Sequence, residues 1–485
     1  MTWREYHEFT KHTVQALRQN QHALDWNNMP DPFRHYEGVP VLDLPADPPS
    51  PQIPALELLR GARGATINVP DDAPDGAAFL SELLFYSASI SASKLVPSTG
   101  YRYALRVNPS SGNLHPTEFH FFTRGLKQWP DGLYHYRPSS HMAEQRAIGD
   151  FDMPWLQSSS PIVFVLTSIG WREAWKYRDR AYRYCLHDIG HAWQSLTLAA
   201  RAMGCESLAV EDFPDDQLAR FCRCSEDEWP MLILELRGQS IPVREQEHRE
   251  ITWYGGQANQ LSPEIIAYPR IEAIHSATKD LKLDTSLEPA SGGRGEIELP
   301  APASSTLAFG EVARKRRSAL DFRGGAQRIS FAQLSAILAV ANPNFVQLYL
   351  YAHRVEGLAR GVYRYWPARA ELELIKTGDQ RVAAAGLSLG QDLAGNACVA
   401  FSMIGDFDRA VRAHGDRGYR YVHFEAGAIG QRLYLAAEAL GLGATGIGAF
   451  FDDEVHRYLN LTPEQGQVVY HFAIGYPVPD PRVVA

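Results

Sequence analysis

The stretch Asp179-Arg180-Ala181-Tyr182-Arg183-Tyr184 returns as Asp416-Arg417-Gly418-Tyr419-Arg420-Tyr421, an offset of 237 residues. The register then holds without a gap for about thirty residues. Gly190, Gln194, Leu196, Leu198, Ala199, Ala200, Ala202 and Gly204 fall on Gly427, Gln431, Leu433, Leu435, Ala436, Ala437, Ala439 and Gly441, and Phe213, Asp215 and Asp216 fall on Phe450, Asp452 and Asp453. Upstream, Gly132-Leu133-Tyr134-His135-Tyr136-Arg137-Pro138 echoes Gly361-Val362-Tyr363-Arg364-Tyr365-Trp366-Pro367. A solenoid needs at least three short repeats, so two long ones indicate a duplicated domain.

Each copy reads alike. A helical stretch (78–93; 331–341) precedes β-rich sequence (118–122; 347–353) and a hairpin-like Tyr-x-Tyr segment. A short apolar strand (162–167; 398–404), a long amphipathic helix (182–203; 419–440) and a closing strand (231–236; 467–474) follow. Leu196, Ala199, Ala200 and Met203 recur at helical spacing and predict core packing. Residues 1–70, Pro-rich around Pro30-Asp31-Pro32, read as an N-terminal arm that covers the core without doing chemistry. Residues 276–307, rich in Ser, Gly, Pro and charge, read as a linker. The two domains are then 71–275 and 308–485.

A chain of 485 residues is too long for one ordinary core. With 45% hydrophobic and 21% charged residues it has an ordinary globular composition. A net charge of −9 argues against nucleic-acid binding. No run of eighteen apolar residues predicts a membrane span. The Met1–Glu8 opening has no apolar signal region, so a cytoplasmic protein is expected. Cysteines 185, 205, 222, 224 and 398 are odd in number and lack zinc spacing, which predicts reduced structural thiols. His187, Asp188 and His191 share a helix face, but no further ligand lies at a recognisable spacing, so no metal is expected. No G-x-G-x-x-G follows a strand, so no separate dinucleotide domain is expected.

Two segments carry the chemistry. Asn108-Pro109-Ser110-Ser111-Gly112-Asn113-Leu114-His115-Pro116-Thr117-Glu118 is a turn of hydroxyls, amides and free backbone N–H groups, able to wrap a polar ligand. Arg316-Arg317-Ser318, in the other copy, offers two fixed charges and a hydroxyl suited to phosphate. In this order, on opposite halves, they resemble the nitroreductase family of FMN enzymes, most closely its SagB-type (azoline dehydrogenase) branch. Tyr6-His7-Glu8-Phe9-Thr10-Lys11 resembles that branch as well. The resemblance implies an α+β, nitroreductase-like fold in two tandem pseudo-symmetric domains that form an intramolecular pseudo-dimer.

In such enzymes one subunit supplies Arg-x-Ser and a glycine-rich strand end, and the other supplies the Pro-Ser-Ser-x-Asn loop. Here the parts are divided unequally. The loop (Pro109, Ser110, Ser111, Asn113) occurs only in the first half; the second runs Ala341-Asn342-Pro343-Asn344-Phe345 into its strand. Arg316 and Ser318 occur only in the second half; Tyr86-Ser87-Ala88-Ser89, without an Arg-x-Ser pair, stands near the comparable place in the first. Gly441–Ala449, with Ala444, Gly446, Ile447 and Gly448, resembles the segment facing the flavin ring, whereas the first half has Gly204-Cys205-Glu206-Ser207-Leu208-Ala209-Val210. One composite site keeps both parts, so one FMN per chain is expected.

The resemblance further makes Lys176-Tyr177 the pair that removes a proton while hydride passes to flavin N5; Ala413-His414 stands at the matching place. A lysine partly buried beside other cations can act as such a base. His115 and Glu118, close to the loop, are candidates for substrate contact, and Arg482 for phosphate by position alone. The implied reaction is two-electron dehydrogenation of a small molecule or peptide, an azoline becoming an azole, with biosynthetic-complex proteins as partners. An NAD(P)H-dependent nitroreductase or quinone reductase and an FMN-holding scaffold subunit are the alternatives. The pseudo-dimer is expected as a monomer or a homodimer.

Overall fold

Each half is built on an antiparallel sheet, and the two sheets share the order of six strands; in the first, Val41–Asp43 also pairs with Met142–Ile148, as Ile297–Glu298 pairs with Glu371–Thr377 in the second. In the computed structural model the first runs Thr252–Trp253, Met142–Ile148, Gly132–Arg137, Thr117–Thr123, Ile162–Ile169, Glu228–Arg237, Glu206–Val210. The second runs Ile297–Glu298, Glu371–Thr377, Gly361–Trp366, Val346–Ala352, Val399–Gly405, Gln467–Gly475, Gly443–Ile447. The structure describes all residues except 20–22, 65–74, 157–159, 247, 280, 282–291 and 485. The α+β class and the tandem arrangement expected from the sequence are present. The central strands are β-branched and aromatic runs; every residue of Ile162–Ile169 and Val399–Gly405 is buried because both sheet faces are covered. Among the described residues no helix is long and apolar enough to cross a membrane.

The long helices Ala181–Ala202 and Gly418–Ala439 cross at a pseudo-twofold axis. A Cβ on Gly190 would lie 2.1 Å from the Phe424 carbonyl oxygen, and one on Gly427 would lie 2.1 Å from that of His187. Residues 187 and 424 are themselves repeat partners, so both glycines answer one close backbone approach. The ion pairs are exchanged in the same way. Asp452 binds Arg183 at 2.8 Å and Arg180 at 3.1 Å; Asp215 binds Arg417 and Arg420, each at 2.6 Å. A self-complementary interface of this kind is what a homodimer shows across its twofold axis.

The duplication reaches further than the sequence comparison did. Arg183 Nε donates to Thr10 Oγ1 at 2.9 Å, and Arg420 Nε to Thr278 Oγ1 at 2.9 Å. Lys11 pairs with Asp453 and Lys279 with Asp216. Helix Trp3–Phe9 is thus the counterpart of helix Pro269–Ala277, and His7-x-x-Thr10-Lys11 recurs as His275-x-x-Thr278-Lys279. Likewise Ala55 N donates to Leu307 O at 2.9 Å and Phe309 N to Ile53 O at 2.8 Å, which makes helix Ala55–Leu59 the counterpart of Phe309–Lys315.

The expected boundaries shift accordingly. The arm over 1–70 includes elements repeated in the second half, and residues 276–279 belong with the repeated helix. Of the expected linker over 276–307, residues 280 and 282–291 lie outside the described residues, while Ile297–Glu298 joins the second sheet.

One local expectation is corrected. The helix expected over 78–93 ends at Phe85, where Ser87 and Ser89 hydroxyls donate back to the Leu83 and Phe85 carbonyls. Ile90–Leu95 is instead a strand, paired with Arg102–Arg106 and Val483–Val484. The closing strands form where expected, as Glu228–Arg237 and Gln467–Gly475, with Glu206–Val210 and Gly443–Ile447 paired outside them at the sheet edge.

Candidate active site between the two halves

The Asn108–Asn113 segment links strand Arg102–Arg106 to a tight turn whose backbone is left-handed at Gly112 (φ 60°), Asn113 (φ 61°) and His115 (φ 50°). Asn tolerates that region and Gly favours it. Space is also tight at Gly112: a Cβ there would sit 2.7 Å from the Tyr177 hydroxyl and 3.1 Å from Lys176 Nζ, so these side-chain ends would have to shift. The turn therefore lies directly on the Lys176–Tyr177 pair at the end of helix Gly170–Tyr177. Asn113 Nδ2 donates to Ala104 O at 3.0 Å, and its Oδ1 faces His115 Nε2 at 3.2 Å. Burial, reinforced by Arg106, Arg172 and Arg316, holds His115 well below the ordinary histidine range. It is neutral, and the Asn113 contact assigns the proton to Nε2.

Asp188, on the long helix, anchors the turn. It accepts from Ser110 Oγ at 2.6 Å, Ser111 N at 3.1 Å and Ser111 Oγ at 3.0 Å. Burial pushes its carboxyl up to about 7 against the pull of these donors. Tyr184 and His191 share its helix face at i−4 and i+3 and line the same cavity.

The opposite wall comes from the second half. Arg316 Nε donates to Val107 O at 3.0 Å and Nη2 to Arg106 O at 3.1 Å, so this side chain reaches across to hold the start of the loop. Ser318 Oγ meets the Tyr434 hydroxyl at 2.9 Å, and Gly446 N donates to that hydroxyl at 2.8 Å. A Cβ on Gly446 would fall 1.9 Å from the Tyr470 hydroxyl, and one on Gly448 2.2 Å from the Tyr184 ring. These glycines are thus packed against tyrosines as well as facing the cavity.

Together these walls enclose about 560 Å³. Pro109, Ser110, Ser111, Asn113, His115, Lys176, Tyr177, Arg316, Arg317, Ser318, Gly446, Ile447 and Gly448 all line it, drawn from both halves. Three expected site residues do not. Ala444 stands behind the wall, bridged to Ser318. Arg482 pairs with Asp480 at 2.8 Å, and it is the next residue, Val483, that reaches the cavity. Glu118 is fully buried on the far face of its strand, bonded to Arg172 and to His135 Nε2 at 3.0 Å. It acts on the loop only through Arg172, which donates to His115 O at 2.7 Å.

The sequence reading missed Arg106, Tyr184, Tyr434 and Tyr470, and treated Asp188 and His191 only as metal candidates. The spacing of Tyr184, Asp188 and His191 on one helix face was a usable signal. His187 does not join a metal set; its ring stacks on Tyr470 at 4.5 Å. Among the described residues, His120, Cys224 and Glu228 could cluster about an ion, and there His120 is already bonded to Glu228 at 2.6 Å.

Several polar atoms in the cavity wall are buried without a hydrogen-bond partner among the described residues: Arg106 Nε and Nη1, Asn108 Oδ1, His115 Nδ1, Arg316 Nη1 and Arg317 Nε. Buried donors are rarely left unpaired. Guanidinium donors with no acceptor are the donor set a phosphate ester satisfies. The pseudo-equivalent place has lost this character. Ala62 and Gly64 stand where Arg316 and Ser318 do, and Arg63, matching Arg317, is ion-paired to Glu206. Glu425, at the position of Asp188, accepts the N–H groups of Asn344, Phe345 and Val346 at 2.6, 2.8 and 3.0 Å, drawing the chain flat where the first half has its turn.

The nitroreductase family model matches residues 102–238 and 313–476, more than half of the chain. A curated protein of Methanocaldococcus jannaschii, named for the nitroreductases, is 34% identical over 116 residues, covering 24% of this chain. The chain spans 59% of the length of that relative. A solved structure from Anabaena variabilis, also named for the nitroreductases, aligns over 98% of this chain and 99% of its own with a TM-score of 0.76 and 26% identity.

Proposed function

This chain belongs to the nitroreductase family, and on that footing we propose that it holds one FMN in the cavity between its halves and carries out a SagB-type two-electron dehydrogenation, an azoline of a modified peptide becoming an azole. What supports this is the convergence on one cavity of the Ser110–Asn113 turn, the Lys176–Tyr177 pair and the Arg316–Ser318 segment, with guanidinium donors still unmatched. Arg316, Arg317 and Arg106 are the groups that fit the phosphate. Asn113 and the Gly446–Gly448 backbone fit the ring. Bound there, FMN supplies a two-electron acceptor for hydride.

The chain's own part in dehydrogenation is to take the proton. Burial holds the Tyr177 hydroxyl well above the ordinary tyrosine range. Tyr177 therefore stays protonated and donates; it is not the base. Lys176, half-buried with Nζ 5.2 Å from the Tyr177 ring centre, is the group left to take the substrate proton. The Ser110–Asn113 turn covers both side chains and limits water at the reacting atoms.

Flavin released by heat, quantified against protein, tests the cofactor: a ratio near one supports the single composite site, and a ratio near two refutes it. Anaerobic mixing with NADPH tests the chemistry. Slow or absent bleaching, with fast bleaching by an azoline peptide, supports dehydrogenation. Fast bleaching by NADPH favours a nitroreductase or quinone reductase, and no bleaching by either favours a scaffold.

A further inference from the structure

Behind the Ser110–Ser111 turn lies a second carboxyl group with no role so far. Glu173 is fully buried on helix Gly170–Tyr177, three residues before Lys176 and four before Tyr177, and neither of its oxygens receives a donor among the described residues. Its carboxyl lies against that of Asp188. Two bare carboxylates in contact in a dry interior cannot both be ionised. Asp188 is already committed as an acceptor, with three donors from Ser110 and Ser111 upon it. The proton that relieves the contact therefore belongs on Glu173, directed at Asp188. That arrangement also explains why a buried carboxyl attracts no donor of its own: a neutral acid giving its O–H away is satisfied.

We propose that Glu173 is a positioning residue of the site: one proton shared with Asp188 joins the two carboxyls, and the joined pair fixes the turn that walls the cavity. Burial, with Asp188 beside it, raises Glu173 well above the ordinary carboxyl range, consistent with that geometry. Lys176, Tyr177, Tyr184, Cys185 and Tyr470 are the other titratable groups that face the pair. Stripping the shared proton leaves two like charges in contact. They separate, Asp188 releases the turn, and the wall loosens as pH rises.

The consequence for the ligand rests on the FMN reading above, so the test has one arm that does not use FMN. Apo-protein is titrated with FMN from about pH 6 to about pH 9 for the wild type, Glu173→Gln, Glu173→Ala and Asp188→Asn. An amide N–H in Glu173→Gln replaces the shared proton and cannot titrate. Its affinity should match the wild type at the acid end and stay level, while the wild type weakens about tenfold or more toward the alkaline end. The ionisation of the FMN phosphate is common to both proteins and cancels in their ratio. Asp188→Asn should bind weakly throughout, because one amide oxygen replaces a carboxylate that took three donors. In the second arm, infrared spectra of the apo-protein should show the band of a buried protonated carboxyl in the wild type and lose it in Glu173→Gln. Affinity in Glu173→Gln as poor as in Glu173→Ala, or identical infrared spectra of the wild type and Glu173→Gln, would overturn the proposal. A wild type that binds no FMN at any pH would sink the cofactor reading instead, and the infrared comparison would still decide the pair.

Discussion

Replacing Arg316 by alanine is the sharpest test of a site shared between halves. The guanidinium is buried and does two jobs. Nε and Nη2 hold the Val107 and Arg106 carbonyls of the first half, and Nη1, on a residue that lines the cavity, is buried without a partner among the described residues. Losing a charge-assisted contact to a phosphate costs about 1.5–3 kcal/mol. That corresponds to a Kd raised by about 10- to 150-fold. The two carbonyls also lose their donors, so the loop start loosens, which adds to the loss. Arg316→Lys keeps the charge but not the fork. An ammonium cannot serve both carbonyls and the phosphate in the same geometry, so rescue should be partial.

Asn113→Ala removes the pin on Ala104 O from the opposite half and should weaken the same ligand. Because both residues hold the Arg102–Asn113 segment, their effects should couple, and the double variant should be less than additive. The assay is quenching of flavin fluorescence on titrating apo-protein, with thermal melting of each apo variant to exclude unfolding. Arg63→Ala, the counterpart of Arg317 in the other half, is the control and should leave FMN affinity unchanged. Normal binding by Asn113→Ala beside failure of Arg316→Ala would refute the cross-half site, as would equal losses for Arg316→Ala and Arg63→Ala.

Three further outcomes are expected. Lys176→Ala should retain FMN and slow the substrate half-reaction in stopped flow by about 10²–10⁴-fold, with a smaller loss for Tyr177→Phe and little change for His414→Ala; wild-type rates in both would make the pair structural. Gly112→Ala should distort the turn through both the left-handed backbone, which costs about 1–2 kcal/mol for a residue with a Cβ, and the Tyr177 hydroxyl. Adding Tyr177→Phe should then restore part of the lost FMN affinity, a recovery that contact with another group would not give. Burial alone would raise Asp452, but Arg180 and Arg183 outweigh it and hold the carboxyl down at about 2 from its ordinary 3.8. Its stabilisation, roughly 2 kcal/mol, is complete above the unfolded value and lost as pH falls from about 4 through 2, so Asp452→Asn should flatten the acid limb of a melting-temperature profile measured over that window.

The features legible in the sequence are those the symmetry axis or the ligand demands of particular side chains. Gly190 and Gly427, and the Arg pairs with Asp215 and Asp452, are fixed by one close crossing, so they persist in both copies and reveal the repeat. The Ser110–Asn113 turn and Arg316 stand out because polar groups in this density have no use in a core. The misses have equally specific causes. Glu118 is close to the loop along the chain, but strand alternation sends it to the face opposite Phe119 and Phe121. The counterpart of the Arg316 segment follows helix Ala55–Leu59, not Phe85, and it went unseen because only Arg63 survives of the three matching residues. Asp188 was taken for a failed metal ligand because its true partners lie 77 and 78 positions away.

Duplication explains how one site can be lost without loss of the fold. The groups that hold the halves together lie at the axis and are reciprocal, so each copy needs its own set for the sake of the other: Arg180 and Arg183 need Asp452, as Arg417 and Arg420 need Asp215. The groups that build a ligand site lie off the axis and are not reciprocal. Each cavity takes its turn from one half and its guanidinium from the other, so a loss at one cavity leaves its mate intact. Once Arg316 and Ser318 have no counterparts, the turn on the second half has no ligand to wrap. It can then be drawn flat onto Glu425, and a Glu can replace the glycine at position 206 and bind Arg63. The changes are therefore one linked event per cavity, which accounts for a chain in which one cavity keeps the turn, Arg316 and Ser318 while the other retains only Arg63 of the matching segment.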